Sequence, residues 1–172
     1  WLTKCCLGQS QTKVFGDAEP VIGYSITSGS MYGSEVLTGS LSRVAGEDAG
    51  SYAITAGNLY NANYDITLTT VNFTVTQANQ AAVVLTSISG VYATGLTLTA
   101  SGGSGTGAYS FTVTAMGTAG CGITSGVLNA TSPGSCTVTA TRATSTNYLV
   151  ASSVATTVTI GKATQAVVTL TS

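Results

Sequence analysis

This chain writes one phrase twice. Gln77-Ala78-Asn79-Gln80-Ala81-Ala82-Val83-Val84-Leu85-Thr86-Ser87 returns as Lys162-Ala163-Thr164-Gln165-Ala166-Val167-Val168-Thr169-Leu170-Thr171-Ser172. Gln80 falls on Gln165 and Leu85 on Leu170, an offset of 85 residues. Self-similarity at a fixed period marks an array of like units. The chain is therefore expected to be a slice of a longer protein. Such a period within 172 residues predicts two small domains, near the lower limit of what folds alone. The expected division is residues 1–76, residues 77–161 and, over 162–172, the first strand of a further repeat. Linkers are expected near Thr76–Gln80 and Gly161–Gln165.

Charge supports the same boundary. All six acids (Asp17, Glu19, Glu35, Glu47, Asp48, Asp65) precede residue 66, and only Arg142 and Lys162 carry charge after it. Charged residues make up 6% of the chain, with a net charge of −1. That leaves no basic patch for nucleic acid phosphates and no basic cluster for anionic lipid. No apolar run approaches the ~18 residues of a spanning helix, so no membrane insertion is expected in this segment. Histidine is absent, which removes the commonest general base and the commonest metal ligand. The chain opens at Trp1 without a basic-then-apolar leader, and its true start is expected upstream.

Period-two alternation organises the rest. Phe73 and Val75 alternate with Asn72, Thr74 and Thr76; Phe111, Val113 and Ala115 with Thr112 and Thr114; Cys136, Val138 and Ala140 with Thr137, Thr139 and Thr141. Branched Thr packs well on a pleated surface, and one apolar face per strand implies antiparallel strands packed on one side. The expected fold is all-β: two tandem small antiparallel β-sandwich domains of Ig-like type with no significant helix. In the first domain, strands are predicted near residues 23–27, 36–43, 51–56, 64–68 and 71–76, with another within 2–14. In the second they fall near 83–86, 96–100, 109–115, 122–124, 127–130, 136–142 and 156–160.

Few residues offer chemistry. Cys121 is in phase with Ile123, and Cys136 with Val138 and Ala140, so both should face the core. A disulfide between them would imply an oxidising compartment; the alternative is two buried thiols. Cys5 and Cys6 are adjacent and poorly placed to pair with each other, leaving buried thiols or an intermolecular bridge. Tyr52 follows Asp48-Ala49-Gly50-Ser51 with the spacing of a tyrosine corner, in which the hydroxyl bonds back to upstream backbone. Asp17, Glu19, Glu47 and Asp48 are weak calcium candidates, against the alternative of surface solvation. Tyr60 and Tyr64 beside Asn61 and Asn63 form a local polar-aromatic cluster suited to sugars, or simply loop packing. The glycine run Ser101–Gly107 lacks the lysine and helix of a phosphate cradle. A serine nucleophile would lack its base, and no Ser-x-x-Lys occurs. No catalytic residue, bound metal or cofactor is expected, and the chain is read as non-enzymatic.

Lys13-Val14-Phe15-Gly16-Asp17-Ala18-Glu19-Pro20 is similar to the opening of the bacterial MBG domain, K-x-Y-G-D-x-D-P. Thr38-Gly39-Ser40-Leu41-Ser42-Arg43, Ala45-Gly46-Glu47-Asp48-Ala49-Gly50-Ser51-Tyr52-Ala53-Ile54 and Asn63-Tyr64-Asp65-Ile66 resemble its later blocks in order, so the likeness covers residues 10 to 76. Phe15 replaces the family's Tyr and Glu19 its Asp. The second domain resembles the bacterial Ig-like repeats of large secreted or cell-surface proteins, through Gly134-Ser135-Cys136-Thr137-Val138-Thr139-Ala140-Thr141-Arg142 and Asn147-Tyr148-Leu149-Val150-Ala151-Ser152-Ser153. The resemblance implies an extracellular stalk or adhesin spacer whose partners are neighbouring domains of the array. Two other functions stay open. One is a filament of copies joined by strand exchange, with the N-terminal segment and the repeated phrase at the C-terminus as exchanging partners. The other is a module binding a cell-surface glycan or protein.

Overall fold

The alternating runs become paired strands in a computed structural model, which describes residues 2–69 and 71–166 apart from the side chains of Leu2, Lys4 and Cys5. Residues 167–172, much of the expected strand of a further repeat, lie outside the described residues. The described chain is all-β and divides into two units, Trp1–Ala78 and Asn79–Ser172.

Unit one contains β1 (Leu2–Gly8), β2 (Gln11–Val14), β3 (Tyr24–Ser28), β4 (Ser42–Arg43), β5 (Gly50–Thr55), β6 (Tyr64–Thr69) and β7 (Asn72–Thr76). One sheet has the order β3-β1-β6 and the other β2-β7-β5-β4. Cys6 from the first sheet and Ile54, Phe73 and Val75 from the second share a core with Ile22, Leu37 and Leu41. Alternation explains the burial: Phe73 and Val75 point in while Asn72, Thr74 and Thr76 face water. β1 pairs parallel with β6, and β2 parallel with β7. Leu2 stands opposite Tyr64 and Gln11 opposite Phe73, the same separation in sequence, so one parallel register runs through both sheets. Gly8 sits where the pair changes sheet; a Cβ there would lie 3.3 Å from Val71 and 3.5 Å from Ile54.

Unit two contains β8 (Val83–Leu85), β9 (Ser89–Val91), β10 (Leu96–Thr97), β11 (Ala100–Gly102), β12 (Tyr109–Ala115), β13 (Gly122–Thr124), β14 (Val127–Asn129), β15 (Gly134–Arg142), β16 (Ala151–Ser152) and β17 (Thr156–Gly161). Its largest sheet runs β12-β15-β17-β9, with β16 also on β15; smaller sheets are β10-β14-β13 and β11-β8. β15 is the spine. Its Cys136, Val138 and Ala140 meet Val83, Leu85, Leu98, Leu128, Val158 and Ile160 in the core.

The structure differs from the sequence reading in pairing direction and in several strands, the one expected within 2–14 being two, β1 and β2. Beside the antiparallel ladders, β1 with β6, β2 with β7 and β9 with β17 are parallel. Alternation reports which face is buried and is silent on the partner's direction. The strand predicted over 36–43 is reduced to β4 and an isolated bridge between Thr38 and Tyr60. Gly39 takes φ +83°, and the Ser40 N–H donates to Asn58 Oδ1 instead of to a ladder. The run predicted over 96–100 is split, because β10 pairs with β14 and β11 with β8. Two short strands, β9 and β16, fall where none was predicted. β1 is the middle strand of its sheet, held by β3 and β6, so the N-terminal segment is already committed on both edges within its own chain.

Phe73 is fully buried at the centre of unit one. Phe73→Ala is expected to destabilise that unit by about 3–5 kcal/mol through lost transfer energy and a residual cavity. Hydrogen exchange read by mass spectrometry should show faster exchange across β2, β5 and β7 and no change in β15 or β17.

Candidate functional site

Four charges meet on unit one. β2 supplies Lys13 and β4 supplies Arg43; the turns after β2 and before β5 supply Glu19 and Glu47. Lys13 Nζ lies 3.0 Å from Glu19 Oε2 and 2.7 Å from Glu47 Oε2. Arg43 donates from Nε to Glu19 Oε1 at 2.5 Å, from Nη2 to Glu19 Oε2 at 3.0 Å and from Nη2 to Glu47 Oε1 at 2.8 Å. Each cation thus touches both acids. The Arg43 guanidinium also lies over the rings of Tyr52 and Phe73, 4.9 and 4.8 Å from their centroids. Both cationic side chains are nearly removed from water, at 5% and 7% exposure. Charges so placed need partners, because burying one alone is costly.

The acids respond accordingly. The Arg43 guanidinium, helped by Lys13 and opposed by desolvation, holds Glu19 down at about 2, against an ordinary value of 4.5. Lys13 and then Arg43 lower Glu47 as well. Lys13 is raised, first by its bond to Glu47 and then by Glu19. Of the four calcium candidates, Glu19 and Glu47 are brought together, but around Lys13 and Arg43, whose positive charge fills the place a cation would take. Asp17 meets the network through its backbone, its carbonyl accepting from Lys13 Nζ at 3.4 Å. No group of three metal-ligating side chains occurs among the described residues.

Other candidates take up structural positions. Tyr52 Oη donates to the Asp48 carbonyl at 2.6 Å, four residues upstream. Its ring lies against Gly46, which has φ +151°; a Cβ there would sit 2.2 Å from Tyr52 Cε1. Cys121 and Cys136 form a disulfide with a Cα–Cα distance of 6.1 Å, and both are buried. Cys6 is sealed in the core of unit one at 0% exposure, and the side chain of Cys5 lies outside the described residues. The polar-aromatic cluster is divided: Tyr60 is exposed, whereas Tyr64 is buried and donates its hydroxyl to Glu35 Oε2. That bond raises the Tyr64 hydroxyl. Asn63 Nδ2 donates to the other Glu35 oxygen at 2.6 Å, and Asn61 Nδ2 to the Val36 carbonyl at 2.9 Å.

Beside the four charges runs an open groove of about 660 Å³, lined by Pro20, Val21, Ile22, Leu41 and Val44. Its charged lining residues, Glu19, Arg43 and Glu47, are committed to ion pairs. The groove therefore offers apolar area and fixed charge, a surface for contact.

Two important side chains escape a reading of the sequence. Arg142 stacks 4.4 Å from the Tyr109 ring centroid and donates to the Gly105 carbonyl. Gln80 donates from Nε2 to the carbonyls of Leu149 at 2.7 Å, Ala143 at 3.1 Å and Arg142 at 3.4 Å, and accepts from the Gly105 N–H at 3.2 Å. It fastens the first residues of unit two to the loops at one end of that unit. The signal for Gln80 was its place in the repeated phrase.

Residues 8–76 match the family model described as the MBG domain (YGX type). No curated protein and no solved structure matches the chain.

The two units should respond to different stresses. Glu19 and Glu47 have lowered folded values, so their contribution is present above the unfolded value of 4.5 and fades as pH falls towards 2. Unit two has no acidic side chain. Amide spectra recorded from pH 6 to pH 2 should show unit one losing stability across that window while unit two holds. Reduction should do the reverse. Opening the 15-residue loop between Cys121 and Cys136 should cost unit two about 3 kcal/mol by loop-closure entropy, seen as a lower denaturation midpoint for β15 and β17 alone.

Proposed function

Taking residues 8–76 as an MBG domain, a repeat domain of large bacterial surface proteins, we propose that this chain is a non-enzymatic spacer in a long secreted or cell-surface protein. In this reading unit two is an Ig-like repeat, residues 162–172 begin a further repeat, and the chain works outside the cell as part of a stalk or adhesin. The observation that carries it is the path of the backbone through unit two. Gln80 is bonded to the carbonyls of Arg142 and Ala143, at the C-terminal end of β15. Ile160 stands opposite Gly134, at the other end of β15. The chain comes in at one pole and goes out at the opposite one. At about 3.3 Å per residue, a nine-residue β15 gives each passage roughly 3 nm of reach. A unit built for a pocket has no need of that path; a unit built for distance does. The disulfide favours an oxidising compartment.

The test is labelling of producing cells with antibody to the chain. Intact cells should label as strongly as permeabilised ones, and electron microscopy should place the label away from the membrane. Label confined to permeabilised cells would refute the reading.

A further inference from the structure

Most outer strands of these sheets are short or carry a charge: β2 holds Lys13, β4 Arg43 and β6 Asp65. β12 is neither short nor charged. It is an outer strand of the largest sheet and runs Tyr109-Ser110-Phe111-Thr112-Val113-Thr114-Ala115, without charge or proline. β13 comes near it but pairs with β14. Proteins usually blunt such edges, because unpaired backbone groups along a flat apolar strand template another strand. Here the blunting is one break in register, between Val113 and Ala115.

The register shows which backbone groups face that edge. Phe111 stands opposite Ala140. Ala140 turns its backbone the other way: its N–H donates to Ser153 Oγ at 3.0 Å and its C=O accepts from the Ser153 N–H at 2.8 Å. The Ala108 C=O, by contrast, accepts from the Ala143 N–H at 2.9 Å. Antiparallel pairs alternate, so Ser110 and Thr112 bond to β15, while Tyr109, Phe111 and Val113 turn their N–H and C=O outward. The side chains follow the same division. Tyr109, Phe111 and Val113 pack on the core yet are only half-buried, whereas Val138 and Ala140 across the ladder are fully buried. Apolar surface thus continues past the last strand. Ser110 and Thr112 face water on the other side of the sheet.

We infer that β12 is a lateral docking edge for a second copy of this chain, with β12 antiparallel to β12 about a two-fold axis at Phe111. The occupant is a second copy because the strand is complementary to itself in that arrangement. Tyr109 falls opposite Val113 and Phe111 opposite Phe111, apolar on apolar; Ser110 falls opposite Thr112 on the wet face. The outward N–H and C=O groups of Tyr109, Phe111 and Val113 then all find partners, about six hydrogen bonds in total. No charge is buried, and the paired span ends before the break in register at Ala115. One such edge covers little area and holds weakly, but successive repeats of an array add their contacts. A spacer requires no lateral partner, so this goes beyond the proposed function: it joins neighbouring stalks side by side.

The experiment follows the full chain by sedimentation equilibrium and by amide exchange in NMR, from micromolar to millimolar concentration. A dimer should form as concentration rises. Exchange should slow with it at Tyr109, Phe111 and Val113, and not at Ser110 and Thr112, whose amides are already in the ladder. Two double substitutions on the wet face check the register without touching the core. Ser110→Lys with Thr112→Lys sets like charges opposite one another and should weaken association at least about tenfold. Ser110→Lys with Thr112→Glu sets opposite charges there and should keep or tighten it. A chain that stays monomeric throughout, slowed exchange confined to other residues, or equal effects of the two double substitutions overturns the inference. The amide pattern needs no substitution, so it decides the matter even where a variant misfolds. Surface labelling of cells tests the spacer role separately, so the two can fail independently.

Discussion

Parallel pairing between early and late strands constrains everything else in these units. In unit one β1 lies beside β6 and β2 beside β7; in unit two β9 lies beside β17. Two neighbouring strands running the same way cannot be joined by a tight hairpin. The intervening chain must cross the unit, and it builds the remaining strands as it does so. In unit two this leaves the incoming and outgoing backbone at opposite ends of β15. Reach is thus a property of topology rather than of any single side chain.

The two units close their small cores by different means. Unit one ties β2, β4 and two turns together through Lys13, Glu19, Arg43 and Glu47, with the Arg43 guanidinium lying over Phe73 and Tyr52. Unit two, without an acid, uses a covalent tie between Cys121 and the spine strand. It also sets its Arg142 against an aromatic ring and a carbonyl in place of a carboxylate. The uneven charge along the sequence is therefore more than a boundary marker. It separates an electrostatically closed unit from a covalently closed one.

Legibility followed the range of the interaction. The strands at Tyr109–Ala115 and Gly122–Thr124 were readable because alternation is local and unbroken there. The core-facing phase of Cys121 and Cys136 was readable for the same reason. The stretch from Val36 to Arg43 misled, since the alternating pattern gives no warning that Asn58 will capture the Ser40 N–H beside a left-handed Gly39. The four-charge network was hidden as well: Lys13 and Glu47 are 34 residues apart, and only the completed sheet brings them together. Partner direction was not legible in any strand, because side-chain period is the same in parallel and antiparallel ladders.

The central claim is that the chain enters and leaves unit two at opposite poles of β15. Pulling on single molecules tests it most directly. Handles at Asn79 and Lys162 draw on opposite ends of the spine and load its ladder bonds together in shear. Handles at Pro133 and Lys162 draw from one end and open the ladder bond by bond. The account predicts a clearly higher unfolding force for the first pair at the same loading rate. Equal forces, or a weaker response between Asn79 and Lys162, would contradict it.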